Sequence, residues 1–333
     1  MDARKLTIGY RQGHHREKCV QRDLDFVLEA GSLVCLLGPN GAGKSTLLRT
    51  LSGMQPALGG ELRMQGRPLS SYSERERSRL IGLVLTDKIF AGGLRVRELV
   101  ALGRHPYVGF FGRLSQEDER IVEESIRQTG IEAKADSYIA ELSDGERQKV
   151  MIAKALAQQC PLILLDEPTA YLDVTSRIEI MQLLHRLARQ GKSILLSTHD
   201  IEQALLLSDR LWLLSRSLGM LCGVTEDLVA RGEMSRFFGR NGIEFDIRDG
   251  AFRQEDVTLR PMVVECPAEW MRWVQNALMR SGFKAVVPES GLPAEGLLRV
   301  VSPTDMELNC AGKRVVVGSF AELIDQLKKY AHA

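Results

Sequence analysis

Gly38-Pro39-Asn40-Gly41-Ala42-Gly43-Lys44-Ser45-Thr46 fits the spacing G-x-x-x-x-G-K-[ST], and its flanks suit that pattern. The apolar run Leu33-Val34-Cys35-Leu36-Leu37 ahead of it reads as a buried parallel strand. Leu47-Leu48-Arg49-Thr50-Leu51 behind it continues as a helix. Without Cβ atoms, Gly41 and Gly43 let the backbone turn tightly and aim successive N–H groups at a phosphate. The positive end of the helix adds to that attraction. In this pattern Lys44 reaches the β- and γ-phosphates and the Ser45 hydroxyl ligates Mg²⁺. Residues 38–46 therefore imply a site for a nucleoside triphosphate.

The rest of the chain limits what such a site can serve. Its 333 residues leave room for two domains with ample core in the first. A net charge of +1 gives no case for nucleic acid as a partner. Six cysteines (Cys19, Cys35, Cys160, Cys222, Cys266 and Cys310) are scattered without a C-x-x-C pair, which suits free thiols in a reducing cytoplasm. No charged-then-apolar leader opens the sequence, and no apolar run approaches the roughly 18 residues of a spanning helix. Work at a membrane would need a partner.

Leu6–Tyr10 and Leu24–Leu28 read as strands, joined by a polar loop whose His14 and His15 lack further metal ligands. From about Asp87 to Gln159 the texture is helical. Ser115 and Asp118 have capping-box spacing, Ile121, Val122, Ser125, Ile126 and Thr129 keep helical period, and Gly130 follows the helix end. A second helix begins at Gly145 or Glu146, and a third runs from about Ser176 to Gln190. Leu162–Leu165 and Ser193–Ser197 are strands. Strands alternating with helices imply a parallel α/β sheet with a helical insertion.

Two of those strands carry chemistry. Leu162–Leu165 delivers Asp166 and Glu167 at its carboxyl end, where the ligands of open α/β sheets gather. Asp166 suits a Mg²⁺-holding acid, and Glu167 a base that polarises the attacking water. His199 stands just past Ser193–Ser197, placed for a γ-phosphate contact. Leu142-Ser143-Asp144-Gly145-Glu146 opens a helix and by itself reads as a capped N-terminus.

In order and spacing, the phosphate loop, LSDGE, LILLDEPT, Leu172-Asp173 and Ser197-Thr198-His199 resemble the ATP-binding cassette (ABC) ATPases, from about Lys5 to Phe238. The resemblance implies a P-loop cassette over 1–238 with a helical subdomain at about 87–160. Its cofactors would be ATP and Mg²⁺. Tyr10 would stack on adenine. Ser143 and Gly145, with Glu146 beside them, would meet the γ-phosphate held by an opposite cassette, and Asp173 would lie at the dimer interface. Lys44, Glu167 and His199 would carry hydrolysis, and Ser45 and Asp166 the metal. Two cassettes pair head to tail in this family, so a homodimer or a paired subunit is implied.

Val96–Tyr107 and Gly112-Arg113-Leu114 further resemble the branch serving importers of iron–siderophore complexes, haem and cobalamin. That implies polytopic permease partners, indirectly a substrate-binding protein, and a place on the cytoplasmic face of the membrane. Tyr107, Phe110 and Phe111, beside Gly109 and Gly112, are expected at an interface. Two residues depart from the family. Thr86 stands where a glutamine usually contacts Mg²⁺ and water, leaving a shorter hydroxyl ligand or neighbouring Asp87 for that task. Asp144 replaces a glycine, and its charge should turn away from phosphate or cap its own helix.

Past residue 238 the resemblance fades, and 239–333 reads as a small α+β domain. Asp249-Gly250 turns a hairpin, and Pro267–Arg280 is a helix with Trp270, Trp273, Val274, Ala277 and Leu278 on one face, the tryptophans as core. Short strands follow, and Ser319 with Glu322 caps a last helix. Competing functions are a non-transport cassette protein and a regulatory subunit that does not hydrolyse. The intact Glu167 and His199 count against the second.

Overall fold

The computed structural model describes all residues except 13–15, 86–92, 110–111, 240–241, 248, 255–257, 287–294, 311 and 332–333. The chain divides into two compact units, Met1–Arg253 and Gln254–Ala333.

In the first unit, β1 (Asp2–Gln12) and β2 (Arg16–Val27) form an antiparallel ribbon. β3 (Leu33–Leu37) leads through the glycine-rich loop into α1 (Lys44–Leu51). β4 (Gly59–Met64) and β5 (Arg67–Pro68) extend the ribbon into a four-stranded sheet, order β2-β1-β4-β5. Next come α2 (Glu74–Leu80), β6 (Ile81–Val84), α3 (Val96–Ala101), α4 (Gln116–Thr129) and α5 (Asp144–Ala157). β7 (Leu162–Asp166), α6 (Val174–Arg189), β8 (Ser193–Ser197), α7 (Ile201–Leu207), β9 (Arg210–Ser215) and β10 (Gly219–Val224) complete the main sheet. Its order is β10-β9-β3-β8-β7-β6, parallel except for the β9–β10 hairpin.

Every residue of β3 and β7 is buried, because the sheet is covered on both faces. Cys35, Leu165, Leu196 and Leu213 pack on one side with α5 and α6. Leu36, Leu164, Leu195 and Trp212 pack on the other with α1 and the antiparallel sheet. The expected parallel sheet is present. The second sheet was not expected, because β4 and β5 carry few buried side chains and so little pattern.

The helical insertion is knit by one buried ion pair. Arg104 donates to Asp118 (2.8 Å), to the Ala157 carbonyl (2.8 Å) and to Gln159 (2.9 Å). Asp118 also accepts from the Ser115 amide (3.0 Å) and hydroxyl (2.6 Å), completing the expected capping box on α4. These bonds push the Asp118 carboxyl down to about 2, the Ser115 hydroxyl and amide first and Arg104 after them. Tyr107, expected at an interface, is half-buried within this chain. Its ring lies between the guanidinia of Arg104 (4.0 Å) and Arg79 (4.9 Å), and its hydroxyl donates to the Gln158 carbonyl (3.0 Å). Phe110 and Phe111, expected beside it, lie outside the described residues, as do His14 and His15.

The unit closes with α8 (Thr225–Ala230), α9 (Glu233–Phe238) and a hairpin of β11 (Ile243–Asp246) and β12 (Ala251–Gln254). Phe252 meets Phe245 and Phe238 edge-on, at ring distances of 5.2 and 5.9 Å. This hairpin packs against the first core, so the compact unit extends past the 238/239 boundary expected from sequence.

The second unit contains β13 (Arg260–Glu265), α10 (Ala268–Arg280), β14 (Phe283–Val286), β15 (Gly296–Ser302), β16 (Asp305–Cys310), β17 (Lys313–Val317) and α11 (Phe320–Ala331). The sheet order is β14-β13-β15-β16-β17. Val274, Leu278, Leu323 and Leu327 of the two helices share one core with Met262, Leu298 and Leu308 of the sheet. Trp270 is partly buried against that core, but Trp273 is 58% exposed and is no core residue. Both tryptophans were expected inside. Position 273 falls just outside the buried stripe that Val274, Ala277 and Leu278 define.

Candidate active site

Three strands of the main sheet end side by side and deliver the candidate residues. From β3 the chain turns through Gly38, with the Ala42 amide donating to the Pro39 carbonyl (3.1 Å). Gly43 has φ +108°, and a Cβ there would stand 2.7 Å from Val20 Cγ1, so the loop needs glycine at that point. Lys44, at the start of α1, is 6% exposed; its ammonium donates to the Gly38 carbonyl (2.8 Å) and lies 3.3 Å from His199 Nε2. Burial lowers the Lys44 pKa from its ordinary value, against the pull of Glu167 and then Asp166.

Two side chains that the sequence did not single out brace this loop. Buried Gln21 on β2 donates through Nε2 to the carbonyls of Ala42 (2.9 Å) and Ser215 (3.0 Å). Arg216, beyond β9, donates to the Gly41 carbonyl (2.7 Å). Neither belongs to the glycine-rich pattern, and only the fold brings them to it. The hydroxyls of Tyr10 and Thr46 are 2.7 Å apart, and the Tyr10 residue remains 39% exposed.

From β7 come Asp166 and Glu167, and from β8 Ser197 and His199. The Ser197 hydroxyl donates to Asp166 Oδ1 (2.7 Å) and accepts from the Glu167 amide (2.9 Å). Glu167 sits at φ +48°, a left-handed conformation that L-residues with a Cβ rarely adopt. Its Oε1 lies 2.7 Å from His199 Nε2. Lys44, Glu167 and His199 are thus joined in one contact chain, with Asp166 held beside it. The hydroxyl of Ser45, in the first turn of α1, makes no hydrogen bond among the described residues.

The residues expected to serve an opposite cassette have partners of their own within this chain. Ser143 N-caps α5 in a box with Glu146: its hydroxyl accepts from the Glu146 amide (3.3 Å) while Glu146 accepts from the Ser143 amide (2.8 Å). Asp144, expected to turn away from phosphate or to cap its own helix, pairs with Arg147 of that helix (2.9 Å), and the cap itself is Ser143. A Cβ on Gly145 would meet Ser176 Oγ at 2.8 Å, so the start of α5 abuts the start of α6. No hydrogen bond among the described residues joins Ser143, Gly145 or Glu146 to residues 38–46. Asp173 N-caps α6, accepting from the Ser176 amide (2.9 Å) and hydroxyl (2.8 Å). Tyr171, two residues earlier, is 86% exposed. Thr86 and Asp87 lie outside the described residues.

A family model described as ABC transporter matches residues 21–170. An ABC transporter ATP-binding protein of Methanocaldococcus jannaschii, MJ0873, is 35% identical over 285 residues, covering 85% of this chain and 97% of that protein. The iron(3+)-hydroxamate import ATP-binding protein FhuC of Bacillus subtilis is 38% identical over 205 residues, covering 61% and 74%. Among solved structures, the dimeric post-hydrolysis cassette MJ0796 bound to ADP and Pi is similar at a TM-score of 0.58 and 28% identity, over 67% of this chain and 98% of that one.

Proposed function

Because this chain belongs to the ATP-binding proteins of ABC transporters, we propose that it hydrolyses ATP to power an importer of an iron–chelate, haem or cobalamin-like complex. The observation that carries the chemistry is the convergence of Lys44, Asp166, Glu167 and His199 at the carboxyl ends of β3, β7 and β8.

In this reading the loop amides of residues 38–46 and Lys44 hold the β- and γ-phosphates, and the Tyr10 ring stacks on adenine. The Ser45 hydroxyl and the Asp166 carboxylate are hard oxygen donors at the phosphate end, which suits Mg²⁺. Ser45 and Asp166 are the residues that would hold the ion; among the described residues no cluster of three His, Cys, Asp or Glu is placed to hold a metal. Mg²⁺ supplies neutralising charge for the transferring phosphoryl group. Glu167 orients the attacking water in line with the leaving oxygen and accepts its proton. His199 leaves Glu167 and turns to the γ-phosphate, where it and Lys44 stabilise the developing charge. Ser143 and Gly145 complete the site of a second copy, since both stand apart from the phosphate loop of their own chain. No helix among the described residues is long and apolar enough to cross a membrane, so permease subunits would hold the chain at the cytoplasmic face.

Glu167→Gln tests the centre. It should abolish turnover and retain an ATP-bound dimer on gel filtration in MgATP; hydrolysis at the wild-type rate would overturn the assignment of the base. Affinity purification of the full chain from its host membranes tests the transport reading. A polytopic permease in stoichiometric amount supports it, and ribosomal or DNA-repair proteins without a permease would refute it.

A further inference from the structure

We propose that Arg177 is a positioning residue of the hydrolytic centre, locking the segment that carries Glu167 to the segment that carries His199. Arg177 lies in the first turns of α6. One arm of its guanidinium donates to the Leu172 carbonyl (3.3 Å), in the turn that begins at Glu167. The other donates to Asp200 Oδ2 (3.1 Å), the residue after His199. A planar guanidinium can serve two acceptors at once only when both are correctly placed, so the bond pair fixes one segment against the other.

Both ends of this bridge are anchored. Asp200 N-caps α7 by accepting from the Gln203 amide (3.0 Å), and its own amide donates to the Thr198 hydroxyl (3.0 Å). On the other side the turn from Glu167 to Leu172 is closed by Ala170 N to Glu167 O (3.0 Å) and Leu172 N to Thr169 O (3.4 Å). That turn starts and ends in strain: Glu167 has φ +48° and Tyr171 φ +63°, neither of them glycine. Strained turns persist only where their surroundings hold them, and Arg177 holds this one at its exit. Glu167, Tyr171, Arg177, His199 and Asp200 line one cleft of about 190 Å³, so the bridge and the Glu167–His199 contact share it. To that contact and the Ser197 bonds, Arg177 adds a further side-chain link between the two segments.

A stability role is a weak explanation, because the Arg177 side chain is 38% exposed. Ion pairs at such sites contribute about 0–1 kcal/mol. The geometry instead bears on where the Glu167 carboxylate and the His199 ring sit when water attacks.

The inference rests on hydrolysis at the Glu167 centre, and the test separates the two. ATP turnover, affinity for a non-hydrolysable ATP analogue and melting temperature are measured on the full chain for wild type, Arg177→Ala, Arg177→Lys, Asp200→Asn and the double variant Arg177→Ala/Asp200→Asn. Arg177→Ala is expected to lower kcat about tenfold or more, since misplaced catalytic groups carry losses of that order. Analogue affinity should stay within about twofold and the melting temperature within about 4 °C, as for loss of an exposed ion pair. Arg177→Lys should recover part of the rate. Asparagine keeps the α7 cap, so Asp200→Asn reports on the bridge, and the double variant should be no slower than Arg177→Ala alone. Wild-type turnover in Arg177→Ala would overturn the inference while leaving the ATPase reading intact. So would a rate loss that follows melting temperature or affinity, which would mark a structural residue. A wild-type chain that hydrolyses no ATP would overturn both.

Discussion

Gln21 shows how much of a phosphate loop is built by residues outside it. Its amide is buried and donates to two carbonyls, one in the loop and one at the end of β9. Gln21→Ala would leave both acceptors without that donor, which costs about 1–3 kcal/mol in buried settings. The expected outcome is a lower melting temperature and an ATP affinity reduced several-fold, by calorimetry with and without MgATP; unchanged affinity would show that the loop holds its shape without the brace. Lys44, Asp166, Glu167 and His199 were legible in the sequence because strand ends and loop chemistry leave strong local patterns. Gln21, Arg177 and Arg216 were not, since each acts on a backbone carbonyl, and a carbonyl has no sequence signature. Tyr107 misled for a related reason. Glycines nearby suggest an exposed loop, but Arg104, three residues earlier, and Arg79, brought in by the fold, both lie over the ring.

Among the elements, the helical insertion depends on a pair that spans α4 and the turn after α3. Arg104 and Asp118 are both buried, and removing either leaves a charge without its partner. Asp118→Ala should destabilise the chain by about 3–5 kcal/mol, read by chemical denaturation. The pH dependence has a definite sign. The folded carboxyl sits at about 2, below the ordinary 3.8, so its contribution is fully present above pH 4 or so. It is lost as pH falls from there through about 2, and Asp118→Ala should flatten the acid limb of the stability curve in that window. Helix boundaries were legible where caps are local: Ser115, Gly130 and Ser143 mark ends that the structure places within a residue or two. The strands β4 and β5 were not, because they are stabilised by pairing, β4 with β1 and the two with each other, rather than by an apolar pattern.

At the scale of the whole molecule, the position of the unit boundary decides what can be cut away. The hairpin of β11 and β12 carries Phe245 and Phe252 onto Phe238, and the Phe245 amide donates to Ser235 (2.9 Å). A fragment of residues 1–253 should therefore unfold cooperatively and keep ATP turnover. A fragment of 1–238 loses that aromatic contact and should be less stable by about 2 kcal/mol, the scale of one large apolar side chain. Thermal unfolding of both fragments checks this; equal melting temperatures would favour the earlier boundary. The match to MJ0873 covers 85% of the chain, more than the first unit alone supplies, so the relative shares part of the second unit as well.

The contact chain of Lys44, His199 and Glu167, with Asp166 beside it, also has an arithmetic of charge. Before any nucleotide arrives, two carboxylates face a single buried ammonium, and the ammonium is pulled two ways by burial and by those neighbours. A bare triphosphate approaching such a pocket meets repulsion from the acids that will later serve it. On the proposed reading, a divalent ion would be less an accessory to bond cleavage than the counterweight that admits the nucleotide. By the same count, an amide at position 167 relaxes the pocket toward its anionic guest even when no bond can be cut. The long-lived dimer expected of Glu167→Gln would accordingly owe part of its persistence to tighter holding and not to arrested chemistry alone.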